Sequence, residues 1–289
     1  MRILVCGGTG FIGRHIVDSL KQAGHEPVQR SRRTAPPLDF SKALTAEAWL
    51  PHLAGIDAVI NAVGVLRDSA GRPLQAMHAD APIALFDACA AAGVRRVVQI
   101  SALGIAHSAT RYASTKRAAD EHLLALTEQG RLNGCVLRPS VVFGAGGASS
   151  QLFLALARLP ALLLPRAVLQ ARVQPVAVRD LADAVARVAG SDAPSGLVEI
   201  GGPEALPLAQ LIASLRAQMG HRPACVGPLP GWLSRASARA GDGLPWSPWC
   251  SETLALLESD NVTEPAALER WLGRPGVAPG QLLATLRRD

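Results

Sequence analysis

Aromatic residues make up only 4% of this 289-residue chain, and lysine is rarer still, because Lys21, Lys42 and Lys116 are the only three. The formal charge is nevertheless +6, since arginine is abundant. Nucleic-acid-binding proteins usually concentrate basic residues on one stripe, with aromatic side chains between them. Here the arginines are scattered along the chain, so we expect solvated basic faces and no nucleic-acid partner.

Cysteine is also scarce and irregularly placed, with five residues that form no CxxC pair. Zinc sites need closer ligand spacing, and an odd count does not suit a disulfide framework. No apolar run reaches the length of about 18 residues that a membrane-spanning helix needs. The chain begins with a strand pattern instead of a signal peptide. We therefore expect a reduced, cytoplasmic protein with no bound metal and no transmembrane segment.

Short β-rich runs alternate with alanine-rich helical runs through the first two-thirds of the chain. The predicted strands span 2–7, 25–30, 56–64, 94–104 and 134–144, and the predicted helices span 11–24, 74–93 and 111–130. Unbroken apolar strands are typical of parallel sheets that are buried on both faces. This alternation predicts an α/β fold with a doubly wound parallel sheet and helices on both of its faces.

The alternation loosens after Gly144. The segment "GAGGASS" is typical of a linker or of a loop over a ligand, and short strands are predicted around 173–178 and 197–200. From residue 220 onward, prolines, glycines and tryptophans accumulate. We predict a dinucleotide-binding core at 1–144 and a smaller C-terminal substrate or partner lobe at 145–289, whose two short strands are candidates to rejoin the core.

A glycine-rich loop, "GGTGFIG", lies between the first predicted strand and the first predicted helix. Its glycines follow the spacing GxxGxxG, and each has a separate task in a dinucleotide-binding loop. Gly7 permits the tight turn, Gly10 lets the backbone approach a pyrophosphate, and Gly13 lets the helix pack on the sheet. The helix N-terminus then offers unpaired N–H groups to the phosphates. The predicted cofactor-binding residues of this loop are Gly7, Thr9, Gly10, Phe11, Ile12 and Gly13.

The stretch "VQRSRR" lies where a dinucleotide-binding fold meets the adenosine ribose. An acidic residue at this strand end favours NAD, whereas a basic group accommodates the 2′-phosphate of NADP. Arg30, Ser31, Arg32 and Arg33 follow the strand, and a guanidinium fork suits a phosphate. We therefore predict that the cofactor is NADP(H), with NAD(H) as the less favoured alternative.

Two further segments are predicted to border the cofactor. "PLDFS" at 37–41 reads as the end of a short third strand, which places Asp39 and Phe40 near the adenine. "NAVG" brings the backbone of Ala62, Val63 and Gly64 against the ribose. Both segments are also compatible with plain strand ends.

The chain has one tyrosine, Tyr112, and Lys116 follows it four positions later in "YASTK". Residues at i and i+4 on a helix share a face. A lysine cation there favours the ionised phenol and can hold a ribose hydroxyl, so that Tyr112 can exchange a proton with a substrate. Ser101, at the end of the preceding strand, is a candidate for the same pocket. A surface helix with an incidental Tyr/Lys pair is the alternative.

Taken together, the motifs "GGTGFIG", "NAVG", "ISALG", "YASTK", "LRPSVVFG", "QPVAVRDLADAV" and "GGPEALPL" resemble, in this order, extended and atypical short-chain dehydrogenases/reductases. This superfamily includes the NAD-dependent epimerase/dehydratase group and the NADPH-binding accessory subunit of respiratory complex I. The resemblance covers roughly residues 1–225. It implies a Rossmann-like sheet, Tyr112 as the catalytic acid/base, Lys116 as its partner and Pro139 beside the nicotinamide.

Three departures from the family pattern weaken the case for sugar-nucleotide epimerisation. The interval from Ser101 to Tyr112 is short, Ala102 and Leu103 replace hydroxyl residues, and Asp80 stands where related enzymes often have asparagine. We therefore predict an NADP-dependent oxidoreductase that transfers a hydride. The alternatives are a non-catalytic NADPH-binding sensor or assembly protein and a nucleoside-diphosphate-sugar epimerase.

A tryptophan-rich segment near the C-terminus is a candidate partner surface. Leu244, Trp246 and Trp249 lie close to prolines, and if exposed they would form a patch for a protein partner or a peripheral membrane contact. If buried, they cap the lobe.

Overall fold

The computed structural model describes residues 1–31, 34, 36–69, 71–190, 195–244, 249–257, 259–264 and 266–286. The chain forms two compact units, the first made of Met1–Arg138 and Ala182–Glu199 and the second of Pro139–Leu181 and Ile200–Asp289. The first unit therefore ends six residues before the boundary expected at 144, and it takes in a later stretch of the chain.

The first stretch of the first unit contains β1 Arg2–Cys6, α1 Phe11–Gln22, β2 Glu26–Gln29, α2 Ala46–Leu53, β3 Ala58–Asn61, a π-helical turn Ala76–Asp80, α3 Ala81–Ala92, β4 Arg96–Ile100, α4 Arg111–Glu128 and β5 Gly134–Pro139. Its second stretch, which follows elements of the second unit in the chain, contains α7 Val178–Gly190 and β10 Gly196–Ile200. Three of these elements, β5, α7 and β10, extend past the limits of the unit by one to four residues.

The strands of this unit form a six-stranded sheet in the order β10-β5-β4-β3-β1-β2. The pairings from β2 through β5 are parallel, and Val59 stands in register with both Leu4 and Val97. Every residue of β3 and β4 is buried, as expected for strands covered on both faces. The predicted α/β fold with a Rossmann-like parallel sheet is confirmed.

Helices α2, α3 and α4 pack side by side and share one apolar cluster with the sheet. Trp49 of α2 is fully buried in that cluster, and its indole N–H donates to Ala43 O at 2.9 Å. On α1, buried Ile16 and Leu20 form part of the apolar core. The hydroxyl of Ser19 donates to Asp183 Oδ1 of α7 at 2.7 Å, which joins α1 to α7.

The second unit is built from short strand pairs and helices. Its elements are β6 Val142–Phe143, α5 Ala148–Arg158, β7 Ala161–Pro165, α6 Arg166–Gln170, β8 Arg172–Val173, β9 Val176–Ala177, β11 Leu206–Pro207, α8 Leu208–Gln218, β12 Cys225–Leu229, α9 Gly231–Asp242, α10 Ser251–Leu256, α11 Ala266–Leu272, a 3-10 turn Pro279–Gln281 and α12 Leu282–Thr285. The pairs are β6 with β9, β7 with β12 and β8 with β11. They surround a separate apolar cluster that includes Phe143 and Leu211.

The tryptophan-rich segment is only partly described. Trp249 packs against the apolar cluster of the second unit, and its indole N–H donates to Ser237 Oγ at 3.2 Å. Leu244 is 42% exposed, whereas Trp246 lies outside the described residues. Among the described helices, none combines the length and apolarity needed to cross a bilayer.

The third strand expected at 37–41 is wrong, because residues 37–39 are irregular and Phe40 and Ser41 form a turn. Pro36 and Pro37 have no N–H to donate to a strand ladder. In addition, Asp39 Oδ1 accepts from the N–H of Ser41 at 3.2 Å and from its hydroxyl at 2.8 Å, which stabilises a turn instead of an extended chain.

Candidate active site

The glycine loop between β1 and α1 forms a close-packed backbone cradle. Gly7 has φ +78°, a conformation that residues with a side chain rarely adopt, and the N–H of Gly10 donates to its carbonyl at 2.8 Å. A Cβ on Gly13 would lie 2.0 Å from Gly7 O, and one on Gly7 would lie 3.0 Å from the backbone of Ala62. Side chains at these two positions would therefore displace the loop.

The start of α1 fits an anionic group. Gly10 is the N-cap of this helix and has no side chain that could accept from its first N–H groups. Thr9 and Gly10 are exposed, whereas Phe11 and Ile12, in the first turn, are half-buried. The first N–H groups of a helix have no partner within the helix and carry its partial positive charge. The cradle and the helix start together fit the pyrophosphate of a dinucleotide.

The arginine stretch after β2 is described in part. Arg30 is half-buried, its Nη1 donates to Gln29 O at 3.4 Å, and its buried Nε has no hydrogen bond within the described chain. The N–H of Ser31 donates to Thr34 Oγ1 at 3.0 Å, and the Thr34 hydroxyl donates back to Ser31 O at 2.9 Å. Arg32 and Arg33 lie outside the described residues.

Of the two residues expected near the adenine, Phe40 belongs to a turn and Asp39 directly precedes it. Asp39 accepts both hydrogen bonds from Ser41, as described above. The ring of Phe40 packs edge-on against Trp49, with ring centroids 5.3 Å apart, so its side chain contributes to the core beneath the turn.

The loop after β3 is joined to the β1 end and to α4. The N–H of Ala62 donates to Cys6 O at 3.0 Å, and the N–H of Val63 donates to Asn61 Oδ1 at 3.2 Å. Lys116 Nζ donates to Val63 O at 3.4 Å. Gly64 is exposed, and a Cβ added there would lie 3.7 Å from Lys116 Nζ. The loop thus lies at the carboxyl edge of the sheet, where α/β proteins bind their ligands.

Tyr112 and Lys116 lie one turn apart on α4, whose first turn is capped by Thr110 accepting from the N–H of Ala113 at 3.2 Å. Tyr112 is half-buried, while Lys116 is only 3% exposed. Lys116 Nζ donates to Ile100 O at 3.0 Å, in addition to its contact with Val63 O. Burial lowers the pKa of Lys116 to about 8, and the charge of Asp120 opposes that shift.

Ser101 lies at the end of β4, and a buried carboxylate accepts from its hydroxyl. It donates to Asp120 Oδ2 at 2.7 Å, and Arg138 Nε donates to the same oxygen at 3.0 Å. Asp120 is fully buried, and its Oδ1 has no hydrogen bond within the described chain. Burial raises the pKa of Asp120, and its partners Ser101, Arg138 and Lys116 oppose that shift.

Sequence reasoning did not identify two residues of this region, Asp120 and His78. Asp120 follows Lys116 by four positions, so the face shared by Tyr112 and Lys116 continues to it, and helical spacing could have found it. His78 is 1% exposed in the π-helical turn, and its ring packs edge-on against Tyr112 with centroids 5.2 Å apart. The contact between the His78 and Tyr112 rings could not be predicted from the sequence.

Pro139 is the last residue of β5 and is counted with the second unit. The described residues contain no group of three or more His, Cys, Asp and Glu side chains that could hold a metal ion.

Comparison with known proteins places this geometry in a family. The model of the NAD dependent epimerase/dehydratase family matches residues 3–201, which include the glycine loop and the Tyr112/Lys116 pair. The chain belongs to that family. A nicotinamide cofactor is therefore supported both by the family and by the fit of the glycine loop.

Individual relatives include several reductases and dehydrogenases. Ceramide reductase of Caulobacter vibrioides is 29% identical over 191 residues, which are 62% of this chain and 58% of that protein. The dTDP-6-deoxy-L-talose 4-dehydrogenase (NAD(P)(+)) of Kitasatospora kifunensis is 28% identical over 288 residues, or 86% of this chain and 91% of that protein. These relatives support an oxidoreductase-type enzyme. The match to the ceramide reductase spans little more than half of that protein's length.

Solved structures share the fold. The NADPH-dependent quinone oxidoreductase of Escherichia coli complexed with NADPH superposes with a TM-score of 0.74 at 18% identity, covering 98% of this chain and 99% of that one.

Proposed function

We propose that this protein is an NADP(H)-dependent reductase or dehydrogenase in which Tyr112 exchanges a proton with the oxygen of a substrate carbonyl or hydroxyl. The observation that carries the proposal is the placement of Lys116. Its ammonium group donates to Ile100 O at 3.0 Å and to Val63 O at 3.4 Å, and Lys116 lies one helical turn after Tyr112 on α4. A cation at that position favours the ionised phenol, which a proton-transfer group needs.

The bound nicotinamide would supply or accept the hydride. The loop from Ala62 to Gly64 and Lys116 would border its ribose, and the glycine cradle would hold the pyrophosphate. Pro139 would border the nicotinamide, as the family resemblance implies. Tyr112 would hold and release the proton, and Lys116 would keep the phenol ionisable.

The preference for NADP(H) rests on Arg30 and Ser31 at the end of β2. The buried Nε of Arg30 has no hydrogen bond within the described chain, and a guanidinium fork suits a phosphate. No acidic residue stands in the stretch from Val28 to Arg33 that would accept from a ribose hydroxyl.

Parallel titrations with NADPH and NADH, followed by nicotinamide fluorescence, test this preference. In Arg30→Ala, the Kd for NADPH should rise about tenfold, as expected for a lost charge-assisted hydrogen bond, while the Kd for NADH stays unchanged. The matched control is Arg131→Ala, an exposed arginine in the turn after α4. Tighter binding of NADH by the unaltered protein would contradict the proposal.

Turnover is tested with a panel of carbonyl compounds that represent the chemistry named for the relatives: a long-chain keto lipid, a quinone and a 4-keto sugar nucleotide. Tyr112→Phe should abolish NADPH oxidation and leave the Kd for NADPH unchanged, because the phenol hydroxyl handles only the proton. Undiminished turnover in Tyr112→Phe would refute the assignment of Tyr112.

The hydrogen bond from Ser101 to Asp120 favours a second candidate, an NADPH-binding protein without turnover. Ser101 is the candidate for the third catalytic position, and its hydroxyl donates to a buried carboxylate at 2.7 Å. Tight NADPH binding without oxidation across the whole panel would favour this candidate over the reductase. NAD retained through purification would instead favour an epimerase.

A further inference from the structure

A π-helical turn, Ala76–Asp80, leads into α3 and packs against α4. Turns of this type are rare within helices and are frequent at functional sites. In this protein the turn carries His78, which is 1% exposed and lies beside the N-terminal part of α4. None of the roles in the proposed function uses this histidine.

Both ring nitrogens of His78 have partners. The N–H of Val65 donates to Nε2 at 3.0 Å, and Nδ1 lies 3.3 Å from Thr115 Oγ1. Because Nε2 accepts, the neutral ring carries its proton on Nδ1 and donates to Thr115. The Thr115 hydroxyl in turn donates to Tyr112 O at 3.1 Å and to Arg111 O at 2.9 Å. The imidazole is therefore oriented from both sides.

The oriented ring meets the Tyr112 ring at an interplanar angle of 90°, with centroids 5.2 Å apart. This is the edge-to-face arrangement that aromatic rings prefer. The same histidine holds Val65, two residues after the Val63 carbonyl that accepts from Lys116 Nζ. His78 thus connects Tyr112 with the loop after β3, whose Val63 carbonyl accepts from Lys116.

The ring stays neutral over the whole working range of such a site. Burial, together with the smaller effect of the positive charge of Lys116, lowers the pKa of His78 to about 3. A neutral ring keeps its acceptor for Val65, which a doubly protonated imidazole would lose.

We propose that His78 is a positioning residue, which fixes the plane of the Tyr112 ring relative to the Lys116 ammonium group and to the loop after β3. This inference rests on the proposed function, in which Tyr112 handles the proton. It assigns a role to a residue that would not itself touch the substrate.

The test compares His78→Asn with a matched control, His52→Asn. Asparagine keeps a donor and an acceptor but removes the ring. His52 is also buried, at 6% exposure, and its ring also meets another edge-on, that of Trp49 at 6.4 Å, but it belongs to α2. The control therefore reports what the loss of a buried histidine ring does to the fold alone.

Two readouts are used, and the first needs no substrate. Because the chain has a single tyrosine, the pH midpoint of tyrosinate absorbance in the cofactor-free protein reports Tyr112 alone. We expect the midpoint to rise in His78→Asn, since a displaced phenol lies farther from Lys116, and to stay unchanged in His52→Asn. A midpoint in His78→Asn equal to that of His52→Asn would overturn the inference.

The second readout is turnover with the best carbonyl compound of the panel. In His78→Asn, kcat should fall by up to about tenfold, as expected for losing an edge-to-face pair, and the solvent deuterium isotope effect on kcat should rise, while the Kd for NADPH stays unchanged. Equal losses in His52→Asn would also overturn the inference. If Tyr112→Phe retains turnover, the proposed function fails instead, and the tyrosinate midpoint still decides the role of His78.

Discussion

Lys116 keeps its ammonium group where only 3% of the residue is exposed, with backbone carbonyls as hydrogen-bond acceptors. Burial lowers its pKa to about 8, and Asp120, four residues later on α4, opposes the shift. At the scale of single residues, we therefore expect the proton transfer proposed for Tyr112 to depend on this buried pair of opposite charges.

We expect this pair to set the pH above which turnover declines. In the unaltered protein, kcat/KM should fall as the pH rises through about 8, where Lys116 loses its proton. In Asp120→Asn, the opposing negative charge is gone, the pKa of Lys116 falls further, and the decline should begin at a lower pH. A pH profile of kcat/KM measures this. The control is Asp87→Asn, which removes a partly exposed carboxylate on α3. If kcat/KM declines at the same alkaline pH in the unaltered protein and in both variants, the prediction is contradicted.

His78 should also affect the stability of the folded protein in acid. Its pKa is about 6.5 when unfolded and is lowered to about 3 by burial when folded. Between these values the unfolded chain binds the proton and the folded one does not, so stability falls as the pH falls through this window. From pH 7 to pH 5, the unaltered protein should lose about 2 kcal/mol more than His78→Asn. Urea unfolding at both pH values measures this, and equal losses would disprove it.

At the scale of an element, the glycine loop combines a tight turn with a helix start. In Gly13→Ala the new Cβ would lie 2.0 Å from Gly7 O, so the loop must move away from its native position. We expect the Kd for NADPH to rise by at least about tenfold, because the helix N–H groups no longer point at the phosphates.

The matched control for this loop is Gly280→Ala. A Cβ there meets nothing within 4 Å, and the residue lies in the 3-10 turn near the C-terminus. The Kd of Gly280→Ala for NADPH should equal that of the unaltered protein. NADPH binding that survives in Gly13→Ala would show that the loop does not hold the cofactor.

At the scale of the whole molecule, the first unit is discontinuous in sequence. Strand β10 forms an edge of the six-stranded sheet beside β5, and α7 is joined to α1 through Ser19 and Asp183. Both elements come from residues after 144. A fragment of residues 1–144 therefore lacks part of its own sheet and part of its helix layer.

We expect that fragment to lose cooperative thermal unfolding, which the full chain should show. Without β10 the outer edge of β5 is unpaired, and without α7 the hydroxyl of Ser19 on α1 loses its partner Asp183. Circular dichroism melting of both proteins measures this. A sharp transition in the fragment would show that 1–144 is an independent domain.

The sequence by itself predicted most of the strands and helices of the first 144 residues, but not α2, together with the glycine loop and the Tyr112/Lys116 pair. These are local properties: strand and helix periodicities repeat within a few residues, and helical spacing alone places positions 112 and 116 on one face. The expected strand at 37–41 failed because the side chain of Asp39 stabilises a turn, which outweighs a short apolar pattern.

Only the tertiary structure decided which partners the functional side chains have. Ser101 donates to Asp120, and the His78 ring meets Tyr112, although each pair is far apart in the chain. The fold also places β10 beside β5 in the sheet that the strands before residue 140 form. Such contacts depend on how strands and helices pack in three dimensions, and the strand and helix periodicities of the sequence, being local, contain no information about them.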